Sequence, residues 1–371
     1  MKLVYLSNST IPSRKANSIH VMKMSSAFSG VFDEVHLITA DRNDPEADPS
    51  DLFRFYSVEP SFGIHRVHWF KSMPGKYFIY AWMSARKAIK LGADLIYGRY
   101  LFGVYAAERL GQTVVFESHS DEFNRSRLHR KMIQTLVDSP RCKKIVVISH
   151  ALKKAYTEEY PAIEKKIIVA HDGADYAPVL RGKKSKEKFI VGYIGHLYKG
   201  KGMEVISELV PRCPEVYFRI VGGLENDIKF WKEKLNQYKN IQFLGFVPHA
   251  ETPGYLAEMD IVLAPYLSKV FAGSTKGIET GRWMSPLKVF EYMCAGKPVI
   301  ASDLPVIREV LYHQKNALLC DPGRPDEWVK AIRYLKEHPA EAKRLAGEAR
   351  NSFEETYSWQ KRAEILREQI Q

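Results

Sequence analysis

The chain has 371 residues, 45% apolar and 26% charged, with four cysteines and a formal net charge of +12. That length suits two domains, each with a full core, and the composition is that of a soluble globular protein. No run approaches the roughly 20 apolar residues a membrane span needs, and MKLVYLSNST reads as a first buried strand rather than a signal peptide. Cys142, Cys213, Cys294 and Cys320 are far apart and lack metal-site spacing, so free buried thiols in a reducing cytoplasm are expected. Residues 1–185 hold 28 Lys+Arg against 19 Asp+Glu, so most of the basic excess lies there. Such charge attracts nucleic acid, anionic lipid or an acidic glycan and does not choose among them.

The runs KLVYLS and EVHLIT flank an amphipathic segment from about Ser18 to Gly30, which predicts strand, helix, strand. The loop between carries Arg14 and Lys15 at the carboxyl end of a strand, where α/β sheets bind ligands. Both are candidate contacts to an acceptor or a phosphate. DRNDPEADPSDLFRF reads as an acidic, proline-containing loop. Residues 71–92 mix Lys71, Lys76, Arg86, Lys87 and Lys90 with Tyr77, Phe78, Tyr80 and Trp82. That mixture suits a membrane interface, and it equally suits a core-facing helix with solvated lysines. Arg125, Arg127, His129, Arg130 and Lys131 open another helix, where cations are unfavourable without an anionic partner. ADLIYGRY and TVVFESHS are strand-to-loop junctions that bring Arg99 and His119 just past strand ends. KKIVVISHALKKAY closes this half, and RGKKSKEK is the best candidate linker. The expected domains are residues 1–185 and 186–355, with 356–371 as a terminal helix.

In the second half, the strand FIVGYIG runs into a loop with Lys199, Gly200, Lys201 and Gly202, and a helix begins near Met203. Strand, glycine loop, lysine and helix start together form a phosphate-binding arrangement, although P-loop spacing is absent. VYFRIVGG, IQFLGFV and DIVLAPY continue the alternation. In GRWMSPLKVFEYMCAGKPVIAS, Ser285 suits an N-cap and Pro286 the first helical position. Leu287, Phe290 and Met293 space an apolar face, and Gly296 ends the helix. Its positive end is an anion site, Lys288 adds a cation, and Glu291 one turn on suits ligand hydroxyls. An ordinary capped surface helix is the plain alternative. TYSWQKRAEILREQI is a final amphipathic helix with Trp359, Ala363 and Leu366 on one face.

Ser285–Lys288, Glu291–Met293 and Ala295–Ser302 resemble the donor segment of retaining glycosyltransferase family 4, whose α/β fold is called GT-B. Gly195, Lys201 and Gly202 resemble a second family motif, with His196 at a position usually held by arginine. The E-x-H of Glu117–His119, Arg99 after an I-Y strand and PSRKANSIHVM resemble further family segments. The resemblance implies two Rossmann-like domains facing each other across a cleft, with the terminal helix crossing back to the first. It implies that Met284, Ser285, Pro286, Leu287 and Lys288 hold a donor diphosphate, and that Glu291 binds the ribose. Lys201 then neutralises the leaving diphosphate beside Gly195 and His196, Phe246 and Val247 meet the base, and His119 faces the donor sugar. Where the family often carries another glutamate, this chain has Trp283, with Glu279 nearby.

The expected activity is metal-independent, retaining transfer of a hexose-type sugar from a nucleotide-diphosphate sugar, with His119, Lys201 and Glu291 as the catalytic set and no cofactor. The expected acceptor is a glycan or a lipid-linked acceptor of cell-envelope polysaccharide assembly. Contact with an anionic membrane through the basic first half is also expected, in the cytoplasm or on the inner membrane face. A GT-B nucleotide-sugar 2-epimerase or phosphorylase is the nearest rival. A basic nucleic-acid-binding protein is a second, but no nucleic-acid module is recognisable, so no nucleic-acid partner is expected.

Overall fold

In a computed structural model, the chain divides into two compact units, Met1–His171 with Trp359–Gln371, and Asp172–Ser358. The residues described are 1–42, 44, 51–180, 188–272, 278–279 and 281–370.

The first unit is built on β1 (Lys2–Leu6), β2 (Glu34–Asp41), β3 (Gly63–His68), β4 (Leu95–Gly98), β5 (Val114–Ser118), β6 (Cys142–Val147) and β7 (Ile167–Val169). These pair in the order β3-β2-β1-β4-β5-β6-β7, all parallel. Parallel strands covered by helices on both faces read as continuous apolar runs, and Leu3 to Leu6 and Val114 to Phe116 are fully buried. The chain order reverses between β1 and β4, which puts the loops after those strands at the switch point of the sheet. The edge strand β3, GIHRVH, escapes a sequence reading because its histidines and arginine stay partly in water. Part of the acidic stretch is helical rather than loop: Leu52–Tyr56 is a short helix whose Asp51 cap accepts from the Arg54 N–H at 3.1 Å. Residues 45–50 of that stretch lie outside the described residues. The terminal helix Trp359–Ile370 packs on the helix Ala16–Ser29. The Trp359 ring meets the His20 ring edge-on at 5.2 Å.

The second unit is built on β8 (Ile190–Ile194), β9 (Tyr217–Val221), β10 (Ile241–Gly245), β11 (Ile261–Ala264), β14 (Val299–Ser302) and β15 (Leu318–Cys320). Their order is β10-β9-β8-β11-β14-β15, again parallel, and the switch falls between β8 and β11. Two-residue strands β12 (Phe271–Ala272) and β13 (Ile278–Glu279) pair antiparallel beside it. One face of the sheet packs Met203, Ile206, Phe218, Leu263, Trp328 and Ile332 into a continuous core.

The division falls at His171/Asp172, upstream of the position near Lys186 that composition indicated. Residues 172–177 are tied into the second unit: the Asp172 N–H donates to Ser285 Oγ at 2.8 Å, and Arg350 Nη1 donates to the Ala177 carbonyl at 2.8 Å. Residues 181–187, most of the expected linker, lie outside the described residues. At the far end the second unit extends to Ser358 rather than 355, because Phe353–Tyr357 continues the helix Pro339–Ser352 and buries Phe353. All four cysteines are buried free thiols. Among the described residues no helix is long and apolar enough to cross a membrane.

Candidate functional site

In the second unit the chain turns immediately after β8, and glycine is required there. Gly195 and Gly202 have φ of +145° and +124°, and a Cβ on Gly202 would stand 2.5 Å from Pro265 Cγ in the loop after β11. The Tyr193 hydroxyl lies 2.7 Å from the His196 carbonyl and 3.1 Å from the Lys201 carbonyl, so one buried side chain holds both ends of the loop.

Lys288 points at this loop from the first turn of the helix Leu287–Cys294. A Cβ on Gly195 would lie 3.0 Å from its Nζ. Lys288 is nine-tenths buried, and Nζ has no hydrogen-bond partner among the described residues. It rests 3.7 Å from the centre of the Tyr193 ring and 5.0 Å from that of Tyr266. Burial holds this ammonium well below the usual lysine range; the Lys201 charge adds to the depression and Glu291 opposes it. Lys201 Nζ lies 5.6 Å from the same Tyr266 ring, and burial pulls its ammonium down to about 8. His196 stacks on Tyr198 with centroids 4.7 Å apart. Burial, then Lys201 and Lys288, pull its imidazole down to about 4, so it is neutral near pH 7. The charge of this pocket therefore rests on two lysines. Crowded cations with little hydrogen bonding are unfavourable without a counter-ion, and a ligand with several anionic oxygens removes that penalty.

The helix start differs in detail from the expected cap. Pro286 stands at the cap position, with ψ of 111°, and no side chain caps the helix. The Ser285 hydroxyl accepts instead from the Asp172 N–H, leaving the positive helix end available to an anion. Met284 is buried beside it. Leu287 is half-buried, whereas Phe290 and Met293 are in the core. Glu291 Oε1 lies 3.0 Å from His249 Nε2, a partner that no sequence motif announced. Phe246 is 46% exposed just past Gly245, and Val247 is half-buried. Trp283 is half-buried, and Glu279 Oε2 lies 4.0 Å from Arg282 Nε.

In the first unit, Lys15 is exposed and Arg14 half-buried after β1, and Arg99 is half-buried after β4. Burial raises the Glu122 carboxyl, which Arg125, at 2.9 Å, and Arg99 counter. Arg99 therefore faces a carboxylate of its own unit. His119 follows β5, and its Nε2 lies 2.6 Å from Glu117 Oε1. That same oxygen receives Arg362 Nη2 at 2.9 Å and has His20 Nε2 at 3.1 Å. Burial alone would raise the Glu117 carboxyl, but Arg362, His20 and His119 hold it well below the usual range. The ligand atoms of His20, Glu117 and His119 lie within 4.8 Å of one another, a spacing a metal ion could bridge, but the Arg362 guanidinium already serves Glu117. Sequence reasoning found His119 and missed His20 and Arg362.

Two parallel α/β sheets with loops at their switch points, and in the second unit a half-buried Lys201 in that loop beside the buried Lys288 of the helix Leu287–Cys294, form the arrangement in which doubly wound proteins bind ligands. Comparison with known proteins narrows this. Residues 18–177 match the family described as Glycosyltransferase Family 4, and residues 181–352 match Glycosyl transferases group 1. The two matches together span most of the sequence, and the chain belongs to glycosyltransferase family 4, with the GT-B fold. An uncharacterized glycosyltransferase of Haemophilus influenzae is 24% identical over 246 residues, 64% of each chain. The phosphatidylinositol N-acetylglucosaminyltransferase GPI3 subunit of Saccharomyces cerevisiae is 26% identical over 187 residues, 46% of this chain and 41% of that one. The chain thus spans less than two thirds of the length of either curated relative. Anabaena Alr3699/HepE, solved in complex with UDP and glucose, superposes with a TM-score of 0.73 at 17% identity over 100% of this chain and 99% of that one.

Proposed function

We propose that the protein is a retaining, metal-independent glycosyltransferase that moves a hexose-type sugar from a nucleotide-diphosphate sugar to a glycan or lipid-linked acceptor in polysaccharide biosynthesis. The observation that carries this reading is Lys288: a nine-tenths buried ammonium without a hydrogen-bond partner among the described residues, beside Lys201 and an uncapped helix start. Breaking the anomeric C–O bond leaves negative charge on the diphosphate, and preorganised cations and N–H dipoles stabilise that charge as it develops. The acceptor oxygen then bonds to the anomeric carbon from the leaving-group face, and its proton passes to a diphosphate oxygen. Glu291, oriented by His249, takes the ribose hydroxyls. His119, whose Nε2 faces an ionised carboxylate, presents its ring to the sugar. No metal or other cofactor enters this scheme. HepE, which shares the fold, is described in complex with UDP and glucose, so uridine nucleotides are the first donors to test.

The acceptor side of the reading rests on charge and exposure. The helix Lys76–Lys90 buries Tyr80, Ala81, Ser84, Ala85 and Ala88. It leaves Tyr77, Phe78, Trp82 and Met83 exposed among lysines and arginines. Rings at headgroup depth with cations beside them fit an anionic lipid surface that presents a lipid-linked acceptor.

The decisive experiment is a thermal-shift screen of UDP-, GDP- and ADP-sugars, followed by product analysis with the donor that stabilises. A ligand at 100 times its Kd adds about 2.7 kcal/mol of stability, readily visible as a raised Tm. The reading fails if no nucleoside diphosphate or nucleotide sugar stabilises the protein, or if the ligand stabilises Lys288→Met equally.

A further inference from the structure

His119 is held from the other end of the chain. Glu117, the penultimate residue of β5, is buried, and its two oxygens are occupied differently. Oε2 accepts from the Tyr97 hydroxyl. Oε1 is the meeting point of His119 Nε2 at 2.6 Å, Arg362 Nη2 at 2.9 Å and His20 Nε2 at 3.1 Å. Arg362 comes from the terminal helix Trp359–Ile370 and is itself buried, with Nε donating to the His171 carbonyl at 2.9 Å. The His20 ring packs edge-on against both His119, at 4.8 Å, and Trp359, at 5.2 Å, so the terminal helix and the histidines form one packed cluster.

An isolated carboxylate in so buried a place would be driven to take up a proton. A guanidinium in contact with it keeps it ionised, and an ionised carboxylate only accepts hydrogen bonds. The His119 nitrogen that faces it, Nε2, must then carry a proton, and for the neutral ring that is the Nε2–H tautomer.

We infer that Arg362 is a positioning residue for His119: through the ionised Glu117 it fixes both the ring orientation and the Nε2–H tautomer of the histidine. This rests on the role given to His119 above. It assigns the terminal helix a part in turnover although that helix carries no family motif of the donor site.

The test uses the full chain in three variants: Glu117→Gln, Arg362→Met and Arg362→Lys. Ring nitrogen shifts, read by NMR and assigned with a His119→Asn sample, report the tautomer without any substrate. The wild type is expected to show Nε2–H. Glu117→Gln and Arg362→Met are expected to show a tautomer mixture, while Arg362→Lys stays closer to wild type. With the donor found above, kcat should fall about 10²-fold in the first two variants, the loss of one preorganised hydrogen-bonding group, with donor KM within about twofold, and Arg362→Lys should recover part of the loss. If Arg362→Met does not fold, Glu117→Gln, which keeps the shape of the side chain, decides alone. An unchanged Nε2–H signal in folded Glu117→Gln and Arg362→Met overturns the inference. A lost tautomer with unchanged kcat leaves the positioning intact and removes His119 from the reaction instead.

Discussion

The ammonium of Lys288 lies 3.7 Å from the centre of the Tyr193 ring, and that ring's own hydroxyl anchors the loop that Lys288 faces. A desolvated cation–π contact contributes about 2 kcal/mol, less than the several kcal/mol lost when an ammonium leaves water. In the ligand-free protein the charged form of Lys288 is therefore disfavoured, and a bound anion favours it.

Replacing that charge should separate stability from binding. Lys288→Met keeps a flexible chain against the two tyrosine rings and removes the buried cation. The ligand-free Tm should stay level or rise, while affinity for the nucleoside diphosphate drops by roughly 10- to 150-fold, the loss of a charged hydrogen bond of about 1.5–3 kcal/mol. Calorimetry and a melting curve on the same sample check both. A destabilised variant with intact affinity would contradict this account.

Lys201 gives the pH dependence. Its ammonium titrates near 8 in the folded chain against an ordinary 10.5. The folded state thus disfavours the charged form relative to the unfolded chain, and this penalty is present in full below about pH 8. As pH rises from about 8 towards 10.5 the penalty is relieved, so Lys201 adds stability to the ligand-free protein over that window. Diphosphate needs the charged form, so its affinity should weaken across the same window. Titrations at pH 7, 8 and 9 should show increasing Kd, with a flatter profile in Lys201→Met. A Kd independent of pH in the wild type would be inconsistent with a titrating Lys201 in the anion site.

The pair Glu291–His249 should behave as one unit. Glu291→Ala is expected to weaken nucleoside diphosphate binding about 10- to 150-fold. His249→Ala should cost less, and the double variant should cost less than the two single losses added, because groups in contact couple. Additive losses would place His249 outside the ribose site.

Exposed rings on the helix Lys76–Lys90 yield a prediction about surfaces. The variant Tyr77→Ser/Phe78→Ser/Trp82→Ser removes side chains that are 48%, 41% and 40% exposed; its Tm should fall, because Tyr77 packs on Trp69 and Phe78 on Phe102, but the fold should persist. Co-sedimentation with vesicles rich in anionic lipid should fall, and the binding that remains should weaken with salt, since each nearby Lys or Arg contributes about 1 kcal/mol that ions screen. Equal sedimentation with neutral and anionic vesicles would rule out the electrostatic part.

Most of the frame was legible in the sequence because parallel strands covered on both faces must be short apolar runs, and glycines mark the turn after β8, where Gly195 and Gly202 take positive φ. β3 escaped because an edge strand need not be apolar. The short helix Leu52–Tyr56 escaped because an acidic, proline-bearing context reads as loop, while its Asp51 cap acts only locally. Ser285 had the right residue type for a cap, yet its hydroxyl was taken by the Asp172 N–H, 113 residues away in the chain.

By itself, the order of residues determined the alternation of strand and helix and the positions of Lys201, Lys288, Glu291 and His119, all of which sit in local patterns of spacing. Only the tertiary structure decided how those groups are charged and oriented. Tyr193 and Tyr266 desolvate the lysines, His249 reaches Glu291 across 42 residues, and Arg362 reaches Glu117 across 245. Burial and contact set a side chain's protonation and direction, and both are made by partners that sequence neighbours do not reveal.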